Sequence, residues 1–129
     1  MENYLEEFAV AGGVLHVRLS GTFPNERVAM KKNLFEPLIE ACRKENCRMA
    51  IVDARALQVD FNTAALFRVG VDAAALNDFR LHVALVARAD MLSSFFDDVT
   101  YNRAAPVHVF TDPKEARDWI DERLPMAVA

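Results

Sequence analysis

The pattern of hydrophobic and polar positions predicts a strand at the centre of the fold, over residues 48–54. This segment, RMAIVDA, is an almost continuous apolar run that is interrupted only near its end by an acidic residue. A run without polar alternation is typical of a strand buried on both faces, as in the middle of a parallel sheet. The remaining elements are therefore expected to pack around this strand.

Two β-prone runs near the N-terminus predict a hairpin. Residues 5–11 and 14–20 flank the pair Gly12-Gly13. A two-residue turn of this kind needs positive φ angles, which glycine adopts without steric cost. The second run alternates apolar and polar side chains, as expected for a strand with one more exposed face.

Helical periodicity predicts four helices, and two further apolar runs predict strands. The helices are expected over 26–46, 63–77, 91–103 and 113–123, and the strands over 80–87 and 107–110. Pro37 falls within the first helix, which therefore either kinks there or restarts behind Glu36 with Pro37 at its first position. Before the last helix, Asp112, Pro113 and Glu115 have the spacing of a capping box.

The resulting order, β-β-α-β-α-β-α-β-α, indicates an α/β protein. We expect a single domain over residues 1–124 with a mixed five-stranded sheet, in which the antiparallel hairpin joins parallel strands and about four helices flank the sheet. Residues 125–129 are expected to form a short C-terminal tail. A chain of 129 residues is long enough to bury a core without a metal or a disulfide.

Composition and charge exclude several classes of function. The chain is 53% hydrophobic, which is too apolar for disorder. Its net charge of −4 argues against nucleic acid as the main partner, because backbone binding needs a basic surface. No stretch approaches the roughly 20 apolar residues of a membrane-spanning helix, and the acidic N-terminal segment is unlike a signal peptide. We therefore expect a cytoplasmic protein without stable membrane insertion.

The sequence contains no evident catalytic or metal-binding constellation. The spacing of Cys42 and Cys47 matches no zinc motif, and we expect two free, buried thiols. His16, His82 and His108 all fall in predicted strands, but the order of the strands does not guarantee that they converge on a metal. Nucleophile elbows, Walker loops and HExxH motifs do not occur. The expectation is a protein that is not an enzyme and that has no catalytic residues, metal or cofactor.

Polar residues collect where the parallel strands are expected to end. Open α/β sheets bind ligands at this rim, and helix N-termini there offer free N–H groups to an anion. The candidate rim residues are Asp53, Arg55, Asp60, Arg88 and Asp90. The alternative interpretation is that these side chains serve as helix caps and salt bridges.

Aromatic residues concentrate in and around the helices predicted over 63–77 and 91–103. More apolar side chains lie here than one small sheet can cover, including Phe61, Phe67, Val71, Phe95 and Phe96. Besides an ordinary core, two interpretations remain open. One is a protein–protein surface, most simply a homodimer interface. The other is an apolar pocket for a small lipid-like ligand.

The order of elements resembles the STAS family and, within it, the small bacterial SpoIIAA-like proteins, whose fold is also similar to that of lipid-binding Sec14 domains. The residues that carry the resemblance are 51–69, IVDARALQVDFNTAALFRV, and 107–121, VHVFTDPKEARDWID. The resemblance implies a STAS-type fold and a regulatory module with a protein partner. The similarity to Sec14 domains implies an alternative, namely a protein with a binding site for a small apolar ligand.

The resemblance also identifies the segment equivalent to a phosphoacceptor. Phosphorylation-switched members carry Asp-Ser-Ser-Gly-Leu at the start of the second helix, where a serine accepts phosphate. This chain has Asn62, Thr63, Ala64, Ala65 and Leu66 instead, and Ala64 stands at the usual acceptor. Thr63 keeps a hydroxyl group, which is expected to cap the helix or pack in its first turn. The resemblance thus implies a regulatory module that lacks the usual phosphoacceptor serine.

Overall fold

A five-stranded mixed sheet forms the centre of the protein in the computed structural model, which describes residues 4–22, 35–58, 72, 76, 80–89 and 107–128. The strands lie in the order β1-β2-β3-β4-β5 and span Leu5–Ala11 (β1), Val14–Thr22 (β2), Met49–Gln58 (β3), His82–Val86 (β4) and Val107–Phe110 (β5). β1 and β2 are antiparallel, and the other neighbouring strands are parallel. The predicted sheet, an antiparallel hairpin joined to parallel strands, is confirmed.

β1 and β2 form the predicted hairpin. Gly12 and Gly13 have φ angles of 60° and 78°. Positive φ at both central positions is typical of a type I′ turn, whose twist matches that of the two strands. β2 continues to Thr22, past its expected end at Ser20, because it stays paired with β3 there after a shift in register.

β3 is the central strand, as the apolar run over 48–54 predicts. It is longer than expected, because the chain continues as a strand beyond residue 54 to Gln58. The physical reason is pairing: β2 reaches equally far, and Ala56 lies opposite Ser20 in the β2–β3 ladder. Strands that continue together keep their backbone groups hydrogen-bonded, which outweighs the weak strand propensity of alanine.

β4 is shorter than the apolar run over 80–87 predicts. Arg80 has a φ angle of 56°, a left-handed conformation that a strand does not contain. The N–H of Leu81 donates a hydrogen bond to the carbonyl oxygen of Leu76 at 3.4 Å. Arg80 and Leu81 therefore belong to the connection that precedes β4. β5 has the predicted bounds of 107–110.

Helix α1 spans Glu36–Glu45. Of the two possibilities that Pro37 raises, the restart is confirmed, although the helix begins at Glu36, one residue earlier than expected. Proline lies in its first turn, where the missing N–H costs nothing. The rest of the expected helix, residues 26–34, lies outside the described residues. Asn46 ends α1 in a left-handed conformation with a φ angle of 55°, which turns the chain toward β3.

Helix α2 spans Pro113–Val128. Asp112 caps it as predicted, because its Oδ1 accepts a hydrogen bond from the backbone N–H of Lys114 at 2.9 Å. The helix begins where expected and continues through the stretch that was expected to be a tail. Pro125 lies within it and leaves the carbonyl group of Asp121 without a helical donor. Asp121 is exposed, so water can supply that hydrogen bond.

The two faces of the sheet carry separate parts of the core. α1 covers one face, here called the α1 face, and α2 covers the other, the α2 face, across β3, β4 and β5. Leu15 and Val83 are buried on the α1 face, and Met49 on the α2 face packs with Ile120 of α2. Burying each such side chain stabilises the fold by about 1.5–3 kcal/mol.

The helices predicted over 63–77 and 91–103 lie outside the described residues, apart from Asp72, which is helical, and Leu76. Leu76 is fully buried among residues of the α1 face. The chain therefore returns to that face between β3 and β4. Two of the four expected helices are confirmed, and the other two stay predictions. Neither of the described helices is long and apolar enough to cross a membrane.

Candidate functional site

Asp53 and Arg55 form a bidentate ion pair at the carboxyl end of β3, where the sequence predicts a ligand rim. Nε of Arg55 donates to Oδ1 of Asp53 at 2.9 Å, and Nη2 of Arg55 donates to Oδ2 at 2.8 Å. The backbone N–H of Arg55 donates to the same Oδ1 at 3.1 Å. The two residues lie two apart on one strand, so their side chains project from the same face and meet.

These contacts lower the pKa of Asp53. The hydrogen bond from the Arg55 side chain is the largest cause; partial burial opposes it, and the positive charge of Arg18 on β2 adds to it. The same ion pair raises the pKa of Arg55. A general base needs a pKa near the working pH. Asp53 is instead ionised and held by its partner.

Arg88 lies two residues beyond β4 and holds the end of β3. The described ladder between β3 and β4 stops at Asp53 and Val86. Beyond it, the guanidinium of Arg88 donates to the carbonyl oxygen of Arg55 and, at 3.1 Å, to that of Leu57. Arg88 thus satisfies backbone acceptors that a longer β4 would have satisfied.

The structure brings together three of the five candidate rim residues: Asp53, Arg55 and Arg88. Asp53 and Arg55 contact each other, and Arg88 donates to the backbone of β3, which favours the interpretation as salt bridges and structural hydrogen bonds. Asp112, the cap of α2, lies near enough for its charge to raise the pKa of Arg55 further. The described part of the rim is therefore already occupied by the protein's own groups.

Several predicted site residues lie outside the described residues. They are the rim residues Asp60 and Asp90, the phosphoacceptor-equivalent residues Asn62, Thr63 and Ala64, and the apolar residues Phe61, Phe67, Val71, Phe95 and Phe96. The roles expected of them stay predictions.

The three histidines lie on the α2 face of the sheet, but they do not converge. His16 on β2 and His108 on β5 share one row across the sheet, with Ile51 and Ala84 between them. With strands about 4.8 Å apart, these three steps amount to roughly 14 Å. Among the described residues, no group of three side chains could hold a metal ion.

His82 and His108 both contact Trp119 on α2. The ring centroids of His108 and Trp119 lie 4.6 Å apart, and His82 meets the indole edge-on at 6.4 Å. The guanidinium of Arg123, one helical turn further on, lies 4.2 Å from the indole centroid in a cation–π contact. The sequence patterns did not predict this cluster, although the spacing of Trp119 and Arg123 by four residues places them on one helix face.

Burial is the main cause that lowers the pKa of both His82 and His108, and the positive charge of Arg123 lowers it further. His82 also contributes to the lowered pKa of His108. Both imidazoles are therefore neutral at pH 7, in the form that packs against the indole ring.

Cys42 and Cys47 are free and buried, as predicted. The N–H of Cys47 donates to the carbonyl oxygen of Cys42 at 2.8 Å, and that of Asn46 to Arg43 at 3.3 Å. These two bonds form a Schellman motif at the end of α1. Burial raises the pKa of Cys42 to about 12, with a contribution from Cys47, and burial also raises the pKa of Cys47. Both thiols are therefore protonated at neutral pH.

A pocket of about 160 Å³ lies beside these thiols, at the end of the parallel strands opposite the rim. It is lined by the end of α1, by the turn that follows and by Leu81. Pockets for drug-sized ligands measure roughly 300–1,000 Å³. This pocket is therefore too small for a lipid-like ligand.

No model of a protein family and no curated protein matches the chain. Solved structures do match. An anti-sigma factor antagonist from Mycobacterium paratuberculosis aligns with 92% of this chain and 95% of its own, with a TM-score of 0.58 and 14% sequence identity. A second match is an uncharacterized protein of the DUF3478 family from Shewanella loihica PV-4, which is described as having a SpoIIAA-like fold. It aligns with 92% of this chain and 94% of its own, with a TM-score of 0.49 and 15% sequence identity.

The chain therefore has the fold of an anti-sigma factor antagonist. The likeness extends over nearly the whole of both chains, so the strands and the two described helices belong to one shared architecture. The expected fold is thus confirmed by the match to this solved structure.

Proposed function

We propose that the chain is a non-enzymatic regulatory module of the cytoplasm that acts by binding another protein. The observation that supports this most is the match, over nearly the whole chain, to an anti-sigma factor antagonist. An anti-sigma factor, the target named in the description of that antagonist, is itself a protein. The proposal carries this mode of action, binding without chemistry, over to the present chain.

The geometry of the rim supports a role without catalysis. The carboxylate of Asp53 is held by Arg55, and Arg88 is engaged with the backbone of β3. These side chains stiffen the end of the sheet. Screening the protein against esters, phosphate esters and nucleotides tests this part of the proposal. We expect no turnover, and an activity that disappears in Asp53→Asn or Thr63→Val would contradict it.

Partner binding in this proposal does not depend on a phosphate switch. Ala64 stands at the usual acceptor and has no hydroxyl group. Incubation with kinases from the same cells, followed by peptide mapping, should find no phosphate. Phosphate on Thr63 would restore the switch, and phosphate on Ser93 or Ser94 would show that the equivalence of Ala64 with the acceptor is wrong.

The helices predicted over 63–77 and 91–103 provide a homodimer interface in this proposal. Side chains such as Phe67 and Phe96 each cost about 1.5–3 kcal/mol when they are left in water. A two-fold interface covers one patch with its own copy, and a standard interface buries about 800 Å² per subunit.

Sedimentation tests the dimer. Wild-type protein should sediment as a dimer, and Phe67→Asp or Phe96→Asp should give a soluble monomer with an unchanged circular dichroism spectrum. A variant that unfolds would place the residue in the core instead. A wild-type monomer at high micromolar concentration would contradict the homodimer.

The alternative is a small apolar-ligand-binding protein of the Sec14 type. The described pocket beside Cys47 gives it no support because of its size. The two functions differ in what accompanies the chain on purification. A lipid-like molecule would favour the alternative, and a bound protein would favour the regulatory module.

A further inference from the structure

Strand β1 is an exposed edge of the sheet. Within the described chain it pairs with β2 alone, and its residues from Glu7 to Ala11 are all exposed. Three large apolar side chains are prominent there: Leu5, Phe8 and Val10 are 52%, 41% and 45% exposed. An open edge of this kind is a template for pairing with another chain.

The hairpin turn determines which backbone groups of β1 point outward. When a turn has two residues, the pair of residues that flanks it is hydrogen-bonded, and bonded and non-bonded pairs alternate from there. In the observed register, Glu6, Phe8 and Val10 fall at the non-bonded pairs. Their N–H and C=O groups therefore point away from β2, toward the open edge.

The side chains of this edge extend the apolar surface of the α1 face. Phe8 lies opposite Val17, and Val10 lies opposite Leu15. Both partners on β2 belong to the buried core of the α1 face, and directly opposite side chains project from the same face. A strand added at the edge would therefore continue an existing apolar layer.

The charge of β1 determines which strand it favours. Glu6 and Glu7 are its charged residues, and the strand contains no lysine or arginine. The hydroxyl of Tyr4 donates to Oε2 of Glu6 at 2.7 Å and holds it in place, while Arg18 lies opposite Glu7 on the β2 side, away from the open edge. A basic side chain on an added strand would therefore be attracted to the acidic end of β1.

We infer that β1 is the docking edge for an extended segment of a partner protein in which apolar and basic side chains alternate. The backbone of that segment pairs with the outward groups of Phe8 and Val10. Its apolar side chains cover Phe8 and Val10, and its basic side chains lie beside Glu7 on the other face. This is strand addition, in which the backbone supplies affinity and alternate side chains supply specificity. The inference rests on the proposed function, because it names the surface and the chemistry of the partner.

The first test uses a blocked, fluorescein-labelled peptide of the same length as β1, seven residues, in which lysine and valine alternate. Fluorescence anisotropy should show saturable binding that weakens as the salt concentration rises, because salt screens exposed charges. A matched peptide with glutamate in place of lysine should not bind. Absence of saturable binding up to millimolar peptide, or equal binding of both peptides, would overturn the inference.

Val10→Pro and Val10→Thr are a matched pair of variants for the backbone contact. The N–H of Val10 points outward, so proline removes a donor for the added strand without breaking a bond to β2. Threonine keeps both the donor and the β-branched shape. We expect proline to abolish binding of the lysine peptide and threonine to preserve it, with the same circular dichroism spectrum for both. Equal binding by the two variants would contradict strand addition.

Glu7→Gln tests the charge contact. Its affinity for the lysine peptide should fall roughly twofold to fivefold, which is the contribution of one exposed ion pair. Glu115→Gln, an exposed change on α2, is the matched control and should leave the affinity unchanged. An unchanged affinity in Glu7→Gln would show that charge does not select the partner.

Amide hydrogen exchange locates the bound peptide. The amides of Phe8 and Val10 should exchange rapidly in the free protein and slowly in the complex, whereas those of Glu7 and Ala9 should be slow in both. Protection at other strands only would overturn the inference. If the chain binds a protein partner while the outward amides of β1 stay unprotected, the proposed function stands and the docking edge is wrong. If β1 binds the peptide but the chain has no protein partner, the proposed function is wrong.

Discussion

Nη1 of Arg88 lies 3.1 Å from the carbonyl oxygen of Leu57, and the same guanidinium also donates to the carbonyl oxygen of Arg55. A side chain therefore completes the edge of the sheet where β4 has ended and β3 continues to Gln58. Part of the rim that the sequence identifies as a candidate ligand site is thus engaged in the hydrogen bonding of the sheet itself.

Removing the Arg88 side chain should destabilise the protein. Arg88→Met leaves two carbonyl groups without their donor, and we expect the free energy of unfolding in urea to fall by about 1–3 kcal/mol. Arg88→Lys should recover part of this loss, since an ammonium group can reach one carbonyl. Arg117→Met, an exposed change on α2, should stay within about 0.5 kcal/mol of wild type. Equal effects of Arg88→Met and Arg117→Met would contradict the role of Arg88.

The stability of the protein should fall below pH 6.5 because of His82 and His108. Their pKa values in the folded state lie below the ordinary value of 6.5. Between the two values the unfolded chain binds more protons than the folded one, so the free energy of unfolding decreases as the pH falls. The decrease should level off once the pH is below the folded-state pKa.

Urea unfolding, followed by the fluorescence of the single tryptophan, measures this dependence. His82→Gln combined with His108→Gln should flatten the profile between pH 6.5 and the folded-state pKa. Arg123→Gln should flatten it only in part, because burial is the larger cause of the lowered pKa. A wild-type profile that is already flat across this range would show that the two imidazoles do not titrate as expected.

Asp53 should make the stability of the protein depend on pH in a second, more acidic range. Its pKa in the folded state is lowered from the ordinary value of 3.8. The stability from its ion pair is therefore fully present above pH 3.8 and lost as the pH falls through the folded-state pKa. Asp53→Asn should reduce the loss of stability in this range and leave the dependence near pH 6 unchanged. An identical acid profile in the variant would rule out this contribution.

The two thiols should be unreactive in the folded protein. Cys42 and Cys47 are buried, and burial raises the pKa of both, so little thiolate is present to attack a disulfide reagent. Ellman's reagent should react slowly with the native protein and quickly with both cysteines in guanidinium chloride. Rapid reaction of either thiol in the native state would contradict the observed burial.

Local patterns were sufficient to predict most of the sheet. The glycine pair at Gly12 and Gly13 specifies the hairpin, and the apolar run over 48–54 specifies the central strand, because each depends on a few neighbouring residues. The ends of the strands depend on distant ones. β3 continues beyond Asp53 because β2 pairs with it and because Arg88 donates to it across 33 positions of sequence. No local pattern contains that contact.

The candidate site was predicted in part for the same reason. The order of elements predicts that Asp53 and Arg88 lie at the same end of the sheet. It does not predict which groups their side chains contact. The cluster around Trp119 requires β4, β5 and α2 to be assembled together. The apolar run over 5–11 indicates a strand, yet only the observed order of strands shows that it is an edge.

Native mass spectrometry of the chain, isolated under gentle conditions from the cells that produce it, tests the regulatory interaction most directly. It reports any bound protein, any bound small molecule and the number of copies together. We predict a complex with a second protein, which releases a homodimer of this chain when it dissociates. A chain that carries no other protein, whether alone or with a lipid-sized ligand, would contradict the proposed function.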